Sequence, residues 1–206
     1  MLPDAGLYAI VDPAACDGRD PEVVTDAILR GGCALLQLRH KQGPDAPHLA
    51  LARRLAARCR AASVPFVIND RADLAALTGA WLHLGQDDLP VAEARRLLST
   101  PIGRSTHDEA QARAAVADGA DLIAFGPVFD TSGKSAPDPV VGLERLAAVC
   151  AGSPLPVVAI GGLDPERAAA VAKAGARWGA AIGAVCRAPD PEQAARAMHA
   201  ALGGST

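Results

Sequence analysis

Aromatic residues are scarce in this chain: three Phe, two Trp and one Tyr, 3% of the sequence. That leaves little from which to build base-stacking platforms for nucleic acid, and it leaves Ala, Val, Leu and Ile to make the core. Neither sign of charge dominates. Twenty Lys and Arg stand against 23 Asp and Glu, a net charge of −3, so there is no basic footprint for a phosphodiester backbone and no acidic tail. No uninterrupted apolar run reaches the length that crosses a bilayer. The opening "MLPDAGLYAIVDP" lacks the basic region and apolar run of a signal peptide. The five cysteines include no Cys-x-x-Cys pair and no zinc-like pattern with histidine. Free thiols in a reducing cytoplasm are the expectation, with no nucleic-acid and no membrane partner.

What is present is alternation. Short β-like runs occur at "LYAIV" (7–11), "ALLQLR" (34–39), "PFVIND" (65–70) and "LHLG" (82–85). They continue at "PIGRS" (101–105), "LIAFGP" (122–127), "PVVAIGG" (156–162) and "GAAIGAV" (179–185). Between them lie Ala- and Arg-rich stretches such as "DAPHLALARRLAARCRAA" and "DPERAAAVAKAG". Several open with Asp and Pro or Glu and close with Gly, which are helix start and stop signals. Near-continuous apolar strands separated by helices describe a parallel sheet covered by helices. Eight such units predict closure into a single (β/α)8 barrel spanning residues 1–206 as one domain, near the lower size limit for that fold. An open doubly wound sheet is the alternative, but "VDPAACDGRD" after the first strand carries no dinucleotide fingerprint. Nothing resembling a Gly/Ser- or Pro-rich linker divides the chain.

In "LLQLRHKQG" (35–43), Gln37, Arg39 and Lys41 fall at every second position and share one face. A solvated edge strand would do the same, but a closed barrel has no edge. The other strands also end in polar residues, where barrel active sites are built. Asn69, Asp70 and Arg71 follow strand three, and Gln86, Asp87 and Asp88 follow strand four. Ser105, Thr106 and His107 close strand five, and Thr131, Ser132 and Lys134 lie beyond strand six. Gly161 and Gly162 end strand seven, and strand eight is expected to run through Ile182 and Gly183. Arg39, Lys41 and Lys134 are fixed cations suited to phosphate oxygens. Asp70 and Asp88 offer oxygen-only ligation to a hard cation such as Mg2+. The glycines after strands seven and eight let backbone N–H groups approach a second anion. A diphosphate with Mg2+ meeting a second phosphorylated substrate is the chemistry this set implies.

With those residues in view, the chain resembles the thiamine phosphate synthase family. The matching motifs are "QLRHK", "IND", "HLGQDD", "IGRSTH", "ADLIAFGPVFDTSGK", "VVAIGGL" and "AAIGAV" followed by "APDP". They run in family order from about Leu7 to Pro191. The resemblance implies a transferase that joins hydroxymethylpyrimidine diphosphate to thiazole phosphate and releases pyrophosphate. It places the pyrimidine diphosphate on Gln37, Leu38, Arg39, His40 and Lys41 with Asn69, Ser105 and Lys134. It places Mg2+ on Asp70 and Asp88, and the thiazole phosphate on Thr131, Ser132, Gly133, Gly162, Ile182 and Gly183. Arg39, Lys41 and Lys134 then act on the charge that develops on the departing pyrophosphate. His83 and His107 are expected to be packing or helix-entry residues.

Two positions depart from the family pattern. "TSGK" has Gly133 where a second threonine is usual, and Gly183 stands where serine is usual. Each removes a hydroxyl from the thiazole-phosphate side. The Asp70-to-Asp88 spacing is also one residue short. A related thiazole tautomerase, which typically has histidine at the position of Pro127, and a non-catalytic binder of phosphorylated precursors are the alternative readings. Homo-oligomerisation is left open by the sequence.

Overall fold

A computed structural model describes residues 2–41, 43–131 and 139–205. Eight parallel strands pair in sequence order and close on themselves, first against last. They are β1 (Gly6–Val11), β2 (Leu35–Leu38), β3 (Phe66–Asn69), β4 (Trp81–Leu84), β5 (Ile102–Thr106), β6 (Leu122–Phe125), β7 (Val157–Ile160) and β8 (Trp178–Ala181). Closure is made by the register Gly6 opposite Trp178 and Leu7 opposite Gly179. The architecture is the (β/α)8 barrel that the alternation predicts.

The covering helices are α1 (Pro21–Gly31), α2 (Asp45–Ala61), α3 (Ala72–Thr78), α4 (Val91–Arg95), α5 (Glu109–Ala117), α6 (Gly142–Gly152), α7 (Pro165–Lys173), α8 (Gly183–Cys186) and α9 (Pro191–Ala201). Three of them begin with the Asp-Pro signal. Asp20, Asp164 and Asp190 each accept a hydrogen bond from a backbone N–H of the first turn, with proline at the first helical position. This satisfies donors the helix leaves unpaired, and proline there gives up none that was needed.

Side-chain alternation divides the apolar residues into two layers. Leu7, Ala9, Val11, Leu36, Leu38, Ile68, Ile123 and Ala159 pack outward against the helices. Tyr8, Ile10, Leu35, Val67, Leu122, Ala124, Val158, Trp178 and Ala180 form a separate inner layer that fills the barrel. Leu7, in the outer layer, is fully buried, so Leu7→Ala would cost about 2–5 kcal/mol. The N-terminal segment closes the barrel floor. Arg177 donates to the Pro3 carbonyl at 2.6 Å, and the Trp178 indole N–H donates to the Asp4 carbonyl at 2.8 Å.

Six strands end short of the sequence expectation: β2 at Leu38, β3 at Asn69, β4 at Leu84, β6 at Phe125, β7 at Ile160 and β8 at Ala181. β3 stops at Asn69 because Asp70 takes a left-handed conformation, φ 62°. β8 stops at Ala181, so Ile182 and Gly183 are not strand residues. Their carbonyls accept from Cys186 N at 2.8 Å and Arg187 N at 3.0 Å, so they are committed to the local turn of α8.

Candidate active site

Apart from Ile10 and Ile182, which follows β8, the interior residues nearest the C-terminal rim come from the last residues of each strand. Gln37, Asn69, His83 and Ser105 supply a polar half from β2 to β5. Ile10, Ala124, Ile160 and Ile182 supply an apolar half from β6 round to β1. The mouth is therefore two-faced, with hydrogen-bonding groups on one side and a hydrocarbon wall on the other.

On the polar half the structure brings most of the expected residues together. The Gln37 amide donates to the Tyr8 hydroxyl at 2.7 Å inside the barrel. One strand-step further out, Arg39 forms an ion pair with Asp12. Lys41 reaches Asp70 at 3.2 Å while remaining half exposed. Leu38 and His40, at alternate positions, turn outward. Leu38 joins the strand–helix core, and the His40 ring meets that of His48 on α2 edge-on at 4.6 Å.

Asp70 and Asp88 meet despite the short spacing. Their carboxyl groups share a hydrogen bond, and Asp88 also accepts from the Gly85 N–H at 2.6 Å. The Asp70 N–H is bound to the His83 carbonyl at 2.8 Å. Burial pushes the Asp70 carboxyl up to about 6, and the Asp88 group beside it adds to the shift against the pull of Lys41. Burial also acts to raise Asp88, yet the hydrogen bonds from Asp70 and Gly85, with Lys41 and Arg104, hold it below the usual carboxylate range. Below about pH 6 one proton is thus shared between two carboxyl groups, a situation that a hard cation would relieve.

Ser105 lies beside this pair. Its hydroxyl is 2.8 Å from His83 Nε2, and its carbonyl accepts from the Gln86 amide at 2.5 Å. Burial pushes His83 down to about 4, so the imidazole is neutral at pH 7. His83 is buried and lies against the hydroxyl of Ser105. His107 sits at the entry to α5, with its N–H on the Gln111 side chain at 2.8 Å and its ring Nδ1 at 2.6 Å from the Gly126 carbonyl.

On the opposite side the glycines have a packing reason. A Cβ on Gly162 would lie 2.4 Å from the Asp130 carbonyl, and its φ is 65°. The loop after β6 is thereby pressed against the end of β7, beside Thr131. Ser132, Gly133 and Lys134 lie outside the described residues.

A family model described as thiamine monophosphate synthase matches residues 7–185. The chain belongs to this family. It is 47% identical to the thiamine-phosphate synthase of Anaeromyxobacter dehalogenans, over 96% of this chain and 87% of that one. It is 41% identical to the thiamine-phosphate synthase of Laribacter hongkongensis, over 97% and 96%. Among solved structures, the thiamine phosphate pyrophosphorylase from Pyrococcus furiosus superposes with a TM-score of 0.89 at 29% identity, covering 97% and 96% of the two chains. A 3-hexulose-6-phosphate synthase, TM-score 0.67 at 18% identity, shares the fold.

Three pairings in this member of the thiamine monophosphate synthase family were not read from the motifs, although His83 itself opens "HLGQDD". Asp12 both holds Arg39 and caps the turn Pro13–Ala15 through Ala14 N, at 3.0 Å. Tyr8 holds Gln37, and His83 holds Ser105. Each acts across neighbouring strands, and the sequence clues were an Asp immediately after the first apolar run and a His at the head of "HLGQDD".

Proposed function

We propose that the chain is a Mg2+-dependent thiamine-phosphate synthase. It joins hydroxymethylpyrimidine diphosphate to thiazole phosphate and releases pyrophosphate, in the cytoplasm. The observation that carries the reading is the Asp70–Asp88 pair, flanked by Lys41, on the polar half of a barrel mouth. Family membership supports it, and so do the cations at the mouth and the free cysteines.

The bond from the pyrimidine methylene carbon to the diphosphate oxygen breaks, and its electron pair leaves on pyrophosphate. The thiazole nitrogen then supplies the pair for the new C–N bond, so no protein nucleophile and no general base is required. Arg39 and Lys41, with Lys134, are assigned to the diphosphate, where their charges act most strongly as negative charge grows. Asp12 fixes the guanidinium of Arg39, so little reorganisation is needed when the leaving group forms. Gln37, Asn69 and Ser105 are assigned to the pyrimidine ring. The Ser105 hydroxyl is oriented by neutral His83. The apolar half of the mouth, with Ile160 and Ile182, offers a hydrocarbon wall for the rings and excludes water from the reacting carbon.

Asp70 and Asp88 would hold Mg2+, which places positive charge against the departing diphosphate oxygens. The donors fit: both are oxygen, their carboxyl groups lie side by side, and below about pH 6 the proton they share is the one a cation displaces. Thr131, Ser132, Gly133, Gly162, Ile182 and Gly183 are assigned to the thiazole phosphate.

The test is a direct assay. Purified chain, both substrates and Mg2+ should give thiamine phosphate and pyrophosphate in equal amounts. Binding of both substrates without product would instead make the chain a non-catalytic binder.

A further inference from the structure

We infer that Cys16 and Cys186 are a redox-active dithiol that closes into a disulfide and ties the β1–α1 loop to α8. Both side chains are fully buried beside the end of β1. The Cys186 thiol donates to the Ile10 carbonyl at 3.3 Å, and the Cys16 thiol donates to the Asp12 carbonyl at 3.3 Å. The two thiols also lie beside each other, so either could donate to the other only in place of its bond to a carbonyl.

A second set of contacts holds the pair in place. Arg19 donates to the Cys16 carbonyl at 3.2 Å, to the Ala188 carbonyl at 2.8 Å and to the Cys186 carbonyl. One guanidinium thus clamps the backbone on both sides of the thiol pair. The two sulfurs are more than 160 residues apart in the chain and are kept adjacent by charge-assisted bonds, independent of any bond between the sulfurs.

The two thiols are not equivalent. The neighbouring Cys186 thiol, reinforced by Arg19, holds Cys16 below the usual thiol range, and the same contact pushes Cys186 up. Cys16 is therefore the nucleophile and Cys186 the resolving thiol. By contrast, burial raises both Cys33, to well above the usual range, and Cys59, to about 12, so those neighbours are inert.

With a peroxide as oxidant the chemistry balances. The Cys16 thiolate attacks one peroxide oxygen, the O–O bond breaks, and hydroxide leaves to become water with the proton Cys16 has lost. The Cys186 sulfur then attacks the sulfenic sulfur of Cys16. The S–O bond breaks, a second water leaves with the Cys186 proton, and the S–S bond forms. Two thiols are oxidised by two electrons and one peroxide is reduced to two waters. Burial makes the first step wait on local opening of the one-turn α8, so oxidation is slow but selective.

The experiment exposes the reduced, full chain to hydrogen peroxide, then alkylates the remaining thiols in denaturant and maps the peptides by mass. The expected result is a fall from five alkylated cysteines to three, with the Cys16 and Cys186 peptides joined and separated again by dithiothreitol. The oxidised form should melt at a higher temperature than the reduced form, because the bridge restricts the unfolded chain. In Cys186→Ala, Cys16 should be trapped as a sulfenic acid that a dimedone probe labels, with no crosslink. Five alkylated thiols after peroxide, a bridge between Cys33 and Cys59, or irreversible oxidation of Cys16 in the unmutated chain would each overturn the inference. The peptide map of the unmutated chain decides the matter even if the variant fails to fold.

Discussion

The carboxyl groups of Asp70 and Asp88 are joined by a hydrogen bond although they stand on different loops and, among the described residues, no histidine or cysteine completes the set. Two such groups hold a proton far more tightly than either alone. Asp70 is raised to about 6, so below that pH a metal must displace the proton in order to bind. Titration calorimetry with Mg2+ at pH 5, repeated in buffers of different ionisation enthalpy, should show release approaching about one proton per metal. At pH 8 the release should vanish and the affinity should be higher. Equal affinity and no proton release at both pH values would remove the pair from the metal site.

The same shift has a consequence for the metal-free protein. Asp70 is raised when folded, so between about pH 4 and pH 6 the folded state retains a proton that the unfolded state has lost. Stability from this group is present at the low end of that window and is lost as pH rises through about 6. Asp88 is shifted the other way, and its contribution changes only below its ordinary value of 3.8. Asp70→Asn should therefore raise the metal-free melting temperature at pH 8, a gain on the order of 1 kcal/mol. Asparagine also tolerates the left-handed backbone at this position, φ 62°. The response of activity to Mg2+ should be weakened in the same variant. A melting temperature that falls at pH 8 would mean that the carboxylate is needed by the fold.

How much of this was legible depends on the range of each interaction. The barrel was readable because its strands are buried on both faces and its helices carry local start and stop signals, Asp20-Pro21, Asp164-Pro165 and Asp190-Pro191. Gln37, Arg39 and Lys41 were readable because strand alternation is a property of one segment. Asp12, Tyr8 and the His83–Ser105 contact were not. They depend on the register between strands, such as Tyr8 opposite Leu35 and His83 opposite Gly103, which no single segment encodes. β8 was overextended because "GAAIGAV" remains apolar past the point where the backbone turns, and β3 because nothing in "PFVIND" announces the left-handed conformation of Asp70.

Asp12 is the clearest test of such a cross-strand partner. Its side chain is only 10% exposed, and it is paired with Arg39, which is 24% exposed. Asp12→Ala leaves a partly buried guanidinium without its partner, at a cost of about 2 kcal/mol, less than for a fully buried pair. Asp12→Asn can keep an oxygen for the Ala14 N–H and should cost less. In steady-state assays both variants should raise KM for the pyrimidine diphosphate several-fold and leave KM for thiazole phosphate unchanged. A loss of stability with both constants unaltered would make Asp12 purely structural.

Gly183 is one of two positions at which the sequence reading expects a departure from the family pattern, and there the structure removes an obstacle to serine. A serine at this position would be strained if the glycine were left-handed, but Gly183 is not among the positive-φ glycines. A Cβ built there meets only Nη1 of Arg187, at 3.5 Å, an ordinary contact with the end of a flexible side chain. Gly183→Ser should therefore fold, and at the first position of α8 it should be neutral or slightly stabilising, since glycine is the poorer helix residue. The new hydroxyl would lie beside Ile182 and Gly183, the segment assigned to the thiazole phosphate. One hydrogen bond to a charged group contributes roughly 1.5–3 kcal/mol before water compensates. KM for thiazole phosphate should fall several-fold while KM for the pyrimidine diphosphate stays unchanged. Because the backbone has room for the side chain, a folded serine variant that binds thiazole phosphate no better cannot be attributed to strain. That result would place the second phosphate away from α8.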